Sequence, residues 1–466
     1  MEIVNFCLVI LTALLIALCA RLSIKTYDVK NFFVASGHFG RFLIFFLMIG
    51  ETYSIGSVLG FPAGVYSKGE MFPLWFLGYI LLSSCIGYFI NPEILKIRDE
   101  YSCVTLADIF RKHFGSYVLE IIVVINSIMF LVPFGESQLI GILVVTKYMK
   151  FHISTMLVAI ISGLMTLLWV VFSGIRAPAY ISIFKDILMV VSIVMGGVAA
   201  LNLMDVPQPY LEHLVSSVVQ PSYLSGSQDL FIVSTILLQG VGFCVAPQAV
   251  AFVFTARSED TLRKNQIIMP FYMLMFPFLY LMSMYALRTH MALSSPNDVF
   301  MAVVSNTLSP GAQGLVAGGC VLSALVILSG ICLTIGPLVS RNVLHASSGE
   351  WQSRGAKIVM AVYLMLSIAS LSFLSKYIIV LNNIYYFGIS QTFPAIMLVI
   401  FRKKMPASLV GMGLVGGVLF SLLLYFSNID TLGINPGFIG MIFNVSVLYF
   451  GSKLISRRSI YKSVQT

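Results

Sequence analysis

Charged residues are scarce in this chain. Only 10% of its 466 residues are Asp, Glu, Lys or Arg, whereas a soluble globular protein carries about 25%. So little charge leaves too little polar surface to cover a water-soluble body of this size. Soluble enzymes and nucleic-acid-binding proteins are therefore disfavoured, despite a formal net charge of +9. Disorder is excluded too, because disordered chains are poor in apolar residues and this chain has 58%.

Motifs for enzymatic or cofactor chemistry are also missing. The chain has no G-x-x-x-x-G-K-[ST] motif, and therefore no P-loop for ATP. Its seven cysteines form no C-x-x-C pair, so we expect small core residues and no disulfide or metal framework. The longest polar loop, about 205–228, is too short for a catalytic domain. We expect neither an enzyme nor a cofactor, and any transport must draw on an ion or solute gradient.

What the chain does have is a series of long apolar runs. A bilayer core requires about 20 apolar residues per helix, and long runs are typical of membrane helices rather than of β-barrels. The sequence therefore predicts an all-α membrane protein with about thirteen transmembrane helices. The predicted spans are 3–20, 42–66, 73–95, 117–146, 154–173, 178–204, 229–255, 267–287, 312–340, 356–374, 377–401, 407–426 and 436–452.

The basic residues predict the orientation. With the N-terminus outside, 22 of the 28 Lys and Arg residues lie on the inner side, 5 lie on the outer side, and Lys185 lies within a span. This asymmetry is the positive-inside pattern, and it supports the count of thirteen. Glu2 precedes the first run and Arg21 follows it, which is the wrong polarity for a cleaved signal peptide. We expect a multi-pass protein of the plasma (inner) membrane with a cytoplasmic C-terminus.

Glycine and proline interrupt two of the spans. The second contains Gly50–Ser57 and Gly60–Gly64, and the seventh contains Gln239–Phe243 followed by Pro247. Interrupted helices at matching places in two halves indicate an inverted-repeat transporter with its site near mid-membrane. The alternative is ordinary glycine-mediated helix packing. The predicted organisation is 1–41, a first helix and loop; 42–204, a first five-helix repeat; 205–228, an external loop; 229–401, a second repeat; and 402–466, two last helices and a tail.

These residues resemble a known family. Gly60–Gly69 is similar to the G-x-P-G-x-x-Y-x-x-G signature of the sodium/solute symporter family, and Thr105–Arg111 resembles its cytoplasmic loop motif with a shortened spacing. The likeness covers about residues 25–405 and implies thirteen spans around a five-plus-five LeuT-like core. Further matches are Gln138 and, for the monocarboxylate-permease branch, Gly174–Ala179, Lys185-Asp186, Ser340–Asn342 and Gln391–Pro394.

The resemblance also implies a place for sodium. The ligands would be the carbonyls of Gly50 and Tyr53, together with helix-eight positions that fall on Ser323, Val326 and Ile327. Most sodium-coupled members have hydroxyls at the last two positions, whereas Val and Ile offer no oxygen to a hard cation. This departure argues against a conventional sodium site. If the alignment of helix eight is shifted by one turn, Ser329 or Thr334 would supply a hydroxyl to the sodium site instead.

Four charged residues lie well inside predicted spans, away from the span ends: Glu51, Glu136, Lys185 and Asp186. Charges are costly in hydrocarbon and are by default functional hypotheses. Glu51 in the first break could carry a proton or ligate sodium. Lys185 could replace the ion at a site that lacks its hydroxyls. Asp186 need not pair with Lys185, because adjacent helical residues point about 100° apart. The alternative for all four is a structural ion pair.

Several polar residues in the spans are candidates for contact with a solute. Each could instead be a helix–helix hydrogen bond. Trp75 and Trp169, near span ends, are expected to be interfacial anchors. The candidates are Ser54, Ser57, Gln138, Gln239, Tyr386 and Gln391.

The function predicted from these features is secondary active transport. We expect symport of a small organic solute, with monocarboxylates as candidates, driven by sodium or protons through alternating access. The alternative is a membrane receptor or sensor that binds a solute without net transport. The expected partners are the solute and the lipid bilayer, with no nucleic acid. The sequence leaves the solute, the coupling ion and the oligomeric state open.

Overall fold

The computed structural model describes residues 1–22, 29–69, 71–151, 153–204, 226–345, 349–373 and 377–464. Regular secondary structure in these ranges is helical, and an isolated bridge joins Phe39 to Ala256. Of the predicted external loop, 205–228, residues 205–225 lie outside the described part of the chain. The side chain of Glu51 also lies outside the described part.

Helices α1 to α9 form the first part of the chain. They are α1 Glu2–Leu22, α2 Val29–Val34, α3 Arg41–Thr52, α4 Ile55–Lys68, α5 Met71–Tyr101, α6 Leu106–Phe114, α7 Tyr117–Tyr148, α8 Thr155–Ser173 and α9 Arg176–Leu203. Helices α10 to α20 follow: α10 Gly226–Val245, α11 Pro247–Thr255, α12 Glu259–Ile268, α13 Phe276–Arg288, α14 Val299–Thr307, α15 Pro310–Asn342, α16 Gly349–Ser370, α17 Ile378–Ile389, α18 Phe393–Ile400, α19 Ala407–Phe426 and α20 Pro436–Val464.

The number of spans agrees with the prediction. Twelve helical segments of the described chain are long and apolar enough to cross a membrane. The pair α3 and α4 makes a thirteenth span, bent by 42° at its break. A 3₁₀ segment, Met269–Met275, joins α12 to α13 within the eighth span, and the sequence did not predict this irregularity. The protein is thus an all-helical, multi-pass membrane protein.

Helix α15 lies at the centre of the bundle. In its most apolar window 94% of the residues are buried, whereas the corresponding figure for α1 is 22%. Gly314 and Gly318 let α1 approach α15, because a Cβ at these positions would lie 2.1 Å from the Glu2 carbonyl oxygen and 2.7 Å from Val9 Cβ. Small residues four apart are the usual means of close helix contact in membranes.

One polar network links α6, α7 and α15 at the end predicted to face the cytoplasm. Thr105 and Asp108 form a capping box that begins α6. Asp108 also accepts from Arg341 Nε at 3.1 Å and from Asn342 Nδ2 at 2.8 Å. Asn342 Nδ2 donates to Glu120 as well, at 2.6 Å. The two sequence motifs Thr105–Arg111 and Ser340–Asn342 are therefore joined by hydrogen bonds between residues 233 and 234 positions apart.

Candidate functional site

The first helix break lies between α3 and α4. Tyr53 and Ser54 leave the helical conformation, with φ/ψ of −110°/57° and −77°/173°. The break frees backbone groups that lipid cannot satisfy. Ser57 Oγ satisfies one of these groups by donating a hydrogen bond to the Thr52 carbonyl at 2.6 Å. The predicted interruption of the second span is therefore present.

The second break lies at Ala246, between α10 and α11. Pro247 is the first residue of α11, a position at which a backbone N–H has no partner within the helix. Because Pro247 lacks an N–H, it cannot continue the hydrogen bonds of α10. Gly240 and Gly242 lie inside α10, before this break. A Cβ on Gly242 would lie 2.1 Å from Ser390 Oγ, and one on Gly240 would lie 2.8 Å from Leu82 Cδ2. These two glycines therefore have the contacts of close helix packing.

A cavity of about 40 Å³ lies beside the first break. Parts of six helices wall it: α3, α4, α5, α7, α10 and α17. Its surface combines aromatic rings with hydroxyl and amide groups, and no charged side chain is among its described lining. The lining residues are Thr52, Ser54, Gly56, Ser57, Gly60, Phe72, Trp75, Phe76, Tyr79, Phe134, Gln239, Phe243, Ile379, Asn382, Asn383, Tyr385 and Tyr386.

Gln239 joins three helices at this cavity. Its Oε1 accepts from Trp75 Nε1 at 3.0 Å, and its Nε2 donates to Asn383 Oδ1 at 2.8 Å. Lys68 Nζ lies 4.9 Å from the centre of the Trp75 ring. Ser54, Ser57 and Gln239 were all predicted to meet a solute, and they share this wall, as does Tyr386. The residues are thereby held in fixed orientations around one space.

Two predicted solute contacts do not line the cavity. Gln138 is buried just behind it, where its Nε2 would lie 3.6 Å from a Cβ on Gly56, and its Oε1 has no hydrogen-bond partner among the described residues. Gln391 lies elsewhere. Its Nε2 donates to the Gly437 carbonyl at 3.3 Å, and its own carbonyl accepts from Asn444 Nδ2 at 2.8 Å. Gln391 therefore has the contacts of a helix–helix link between α20 and the end of α17.

Several lining residues were not singled out from the sequence. Trp75 was interpreted as an interfacial anchor, but it is buried in the cavity wall, and Trp169 is buried as well. The consecutive pair Asn382 and Asn383 stands out in an apolar span, and that signal could have identified it. Tyr385 could not have been separated from its many aromatic neighbours, because its role depends on the Phe134 ring stacked 4.6 Å away.

The predicted ion-coupling residues come together at the first break. Lys185 Nζ lies 3.5 Å from the Gly50 carbonyl oxygen, and Ser323 Oγ lies 3.5 Å from that of Tyr53. Both hydroxyls that could have served after a one-turn shift are engaged within α15: Ser329 donates to the Leu325 carbonyl and Thr334 to that of Gly330. The neighbouring positions, Val326 and Ile327, are buried and apolar.

Lys185 and Asp186 form a buried ion pair. Lys185 Nζ lies 2.6 Å from Asp186 Oδ1, and both side chains are almost completely excluded from solvent. The sequence left this pairing open, and the four-carbon side chain of Lys185 is long enough to turn back to its neighbour. An unpaired charge at this depth would be far more costly. The pair therefore places a positive group against the carbonyls of the break.

Comparison with known proteins decides the family. The model of the sodium:solute symporter family matches residues 32–417. The chain belongs to this family. The symporter is 26% identical over 432 residues to an uncharacterised symporter, YodF, of Bacillus subtilis strain 168, which covers 90% of this chain and 86% of that one. It is 25% identical over 390 residues to a monocarboxylate transport permease protein of Rhizobium johnstonii, covering 80% and 78% of the two chains.

A solved structure shares the fold. The substrate-bound, outward-open state of a Na⁺-coupled sialic acid symporter superposes with a TM-score of 0.78 at 14% identity, covering 97% of each chain. The symporter thus has the LeuT-like fold that the resemblance implied. Together with the family, this makes the protein a transporter and not an enzyme. Its activity is cation-coupled symport of a small-molecule solute across a membrane.

Proposed function

We propose that the symporter carries a small organic anion of the monocarboxylate class, bound in the cavity beside the first break. The observation that carries this proposal is the combination of an uncharged, amide-rich wall with the start of α4. Gly56 lines the cavity in the first turn of α4, where backbone N–H groups have no acceptor within the helix. Such a terminus favours a carboxylate without requiring a basic side chain. The relative that transports monocarboxylates supports the same class.

The lining of the cavity suits a solute with an apolar chain and a polar end. The aromatic rings of Trp75, Phe134 and Tyr386 would cover an apolar chain, while Ser57 and Asn382 would offer hydrogen bonds. Asn382 Oδ1 has no partner among the described residues, so it is available as an acceptor. A hydroxyl or protonated group on the solute would fit this acceptor.

For coupling, we propose that the Lys185 ammonium takes the position of the sodium ion at the first break. Its Nζ lies 3.5 Å from the Gly50 carbonyl oxygen. On the facing side of α15, Ser323 has a hydroxyl, whereas Val326 and Ile327 carry no side-chain oxygen. A tethered cation next to carbonyls makes a bound Na⁺ unnecessary and electrostatically disfavoured. The driving ion is then the proton, and Glu51 in the same break is the proposed carrier.

We also propose the topology and repeat organisation that the sequence predicts. The N-terminus faces outside and the C-terminus the cytoplasm, and two five-span repeats occupy 42–204 and 229–401. The broken spans α3–α4 and α10–α11 would then be the first helix of each repeat. This arrangement places the cavity near mid-membrane and permits alternating access around it.

Uptake into proteoliposomes tests the solute and the ion together. Radiolabelled pyruvate, lactate, propionate and, as a zwitterionic control without net charge, alanine would be offered under an inward proton gradient or an inward sodium gradient. We expect accumulation of one of the carboxylates with the proton gradient alone. Accumulation that requires sodium would contradict the coupling proposal. Preference for alanine over pyruvate, lactate and propionate would contradict the proposed solute class.

A designed sodium site sharpens this test. The double variant Lys185→Met, Ile327→Ser removes the ammonium and restores a hydroxyl, and it should gain a sodium requirement for solute binding. The control Lys185→Met, Ser329→Ala changes the same helix at a hydroxyl that is bonded to its own backbone. The control should not respond to sodium. If both double variants remain sodium-independent in binding, the Lys185 position is not the cation site.

A further inference from the structure

Glu136 is a buried acid in the middle of α7, and the proposed transport site does not use it. It lies in α7 between Phe134 and Gln138, and its side chain is completely buried. Oε2 accepts a hydrogen bond from Ser370 Oγ of α16 at 3.1 Å. Oε1 has no hydrogen-bond partner in the described part of the chain. An ionised carboxylate with half of its oxygens unsatisfied would be very unfavourable at this depth.

The surroundings of Glu136 supply hydroxyls and no cation among the described residues. On α16, Tyr363 donates its hydroxyl to the Leu131 carbonyl at 2.8 Å, and Ser367 lies in the same row as Ser370. The other described charged groups of α7 and of the helices that pack on it lie towards the helix ends. They are Lys147 with Asp298, Arg341 with Asp108, Arg111 with Glu120, Lys112 and His113 at the end of α6, Lys68 at the end of α4, and Arg354 and Lys357 near the start of α16.

We propose that Glu136 is a proton-binding site, with the proton held at the contact between α7 and α16. A neutral acid fits the observed contacts: one oxygen accepts from Ser370, and the carboxyl needs no counter-charge. Proton release requires water or a cation at Glu136, and either requires α16 to separate from α7. Occupancy of this site is therefore linked to how the two helices pack.

The link reaches the cavity through α7 itself. Residues two apart on a helix point about 200° apart, so Glu136 faces α16 while Phe134 and Gln138 face the other way. Phe134 stacks on Tyr385 in the cavity wall. A shift of α7 against α16 would move this ring. Protonation of Glu136 should thus favour solute binding, as a site distinct from the proposed cation position at Lys185.

Infrared spectroscopy of the purified full-length protein tests the protonation state directly. At neutral pH we expect the carbonyl stretch of a protonated carboxylic acid, absent in Glu136→Gln and retained in the control Glu93→Gln, which alters a partly exposed carboxylate paired with Lys96. Ser370→Ala should keep the band but shift its frequency, because one hydrogen bond to the acid is lost. A wild-type spectrum from which Glu136→Gln removes no acid band would overturn the proposal.

A functional readout separates a proton site from a structural one. We expect the affinity of the wild type for the carboxylate that the uptake assay identifies to fall as the pH rises through the titration of Glu136. The fall should be up to about tenfold per pH unit for a single group. Glu136→Gln, which mimics the neutral acid, should remove this decline. An unchanged pH profile in Glu136→Gln would refute the link to binding. Lys376 lies outside the described residues, and if Lys376→Met creates a new acid band, Glu136 belongs to an ion pair and the proposal is wrong.

Discussion

The two helix breaks use the same backbone device for different chemistry. At the first break, Tyr53 and Ser54 are non-helical and a buried ammonium, that of Lys185, lies against the freed carbonyls. At the second, only Ala246 is non-helical, and the polar groups nearby are neutral amides such as Gln239 and Gln248. The buried charge is therefore concentrated at the first break. This break fits the proposed cation position, and the helix before the second break contributes Gln239 to the proposed solute wall.

The local cause of each break differs as well. The second follows from Pro247, whose ring ends the ladder of α10 whatever its surroundings. The first has no proline at the break and depends on tertiary contacts. Ser57 satisfies one carbonyl of the break, and Lys185 contacts another. The first break should therefore be the more sensitive to the loss of a single side chain.

The largest expected effect is at Lys185. Lys185→Met leaves Asp186 buried without a partner among the described residues, a change that costs about 3–5 kcal/mol in comparable cases. We expect a large fall in the thermal midpoint of the detergent-solubilised protein and no uptake. Lys185→Met, Asp186→Asn should regain most of the stability but no uptake. If Lys185→Met is as stable as the wild type, Lys185 and Asp186 do not form a buried ion pair.

A smaller effect is expected next to the second break. Gly242→Ala would place a methyl group 2.1 Å from Ser390 Oγ, and overpacking of this kind costs about 1–3 kcal/mol. Thermal unfolding measures the loss. Adding Ser390→Ala removes the clashing oxygen and should recover part of it, while Gly40→Ala, with nothing within 4 Å, is the matched control. If Gly242→Ala is neutral, α10 can shift, and this part of the second half is less rigid than its contacts indicate.

The sequence was sufficient for features that depend on local composition. Span number follows from apolar length, and the break at Pro247 follows from proline geometry. It was less informative where partners come from distant segments. Gln239 and Gln391 look the same in the sequence, since each is an amide in an apolar span. In the structure Gln239 lines the cavity and Gln391 binds α20, a difference that depends on packing alone. Trp75 was assigned to the interface for the same reason, since its Gln239 partner is 164 residues away.

The smallest predicted effect tests this distinction between two similar residues. Gln239→Leu removes the bonds to Trp75 and Asn383, each worth about 0.5–1.5 kcal/mol, and should weaken solute affinity by roughly tenfold while the fold persists. Gln391→Leu is the matched control, with equal burial but partners in α20, so it should lower the thermal midpoint and leave affinity unchanged. Equilibrium binding and thermal unfolding of both variants decide the matter. The reverse pattern would move the solute site away from the wall of the first break and towards the contact between α17 and the last two helices.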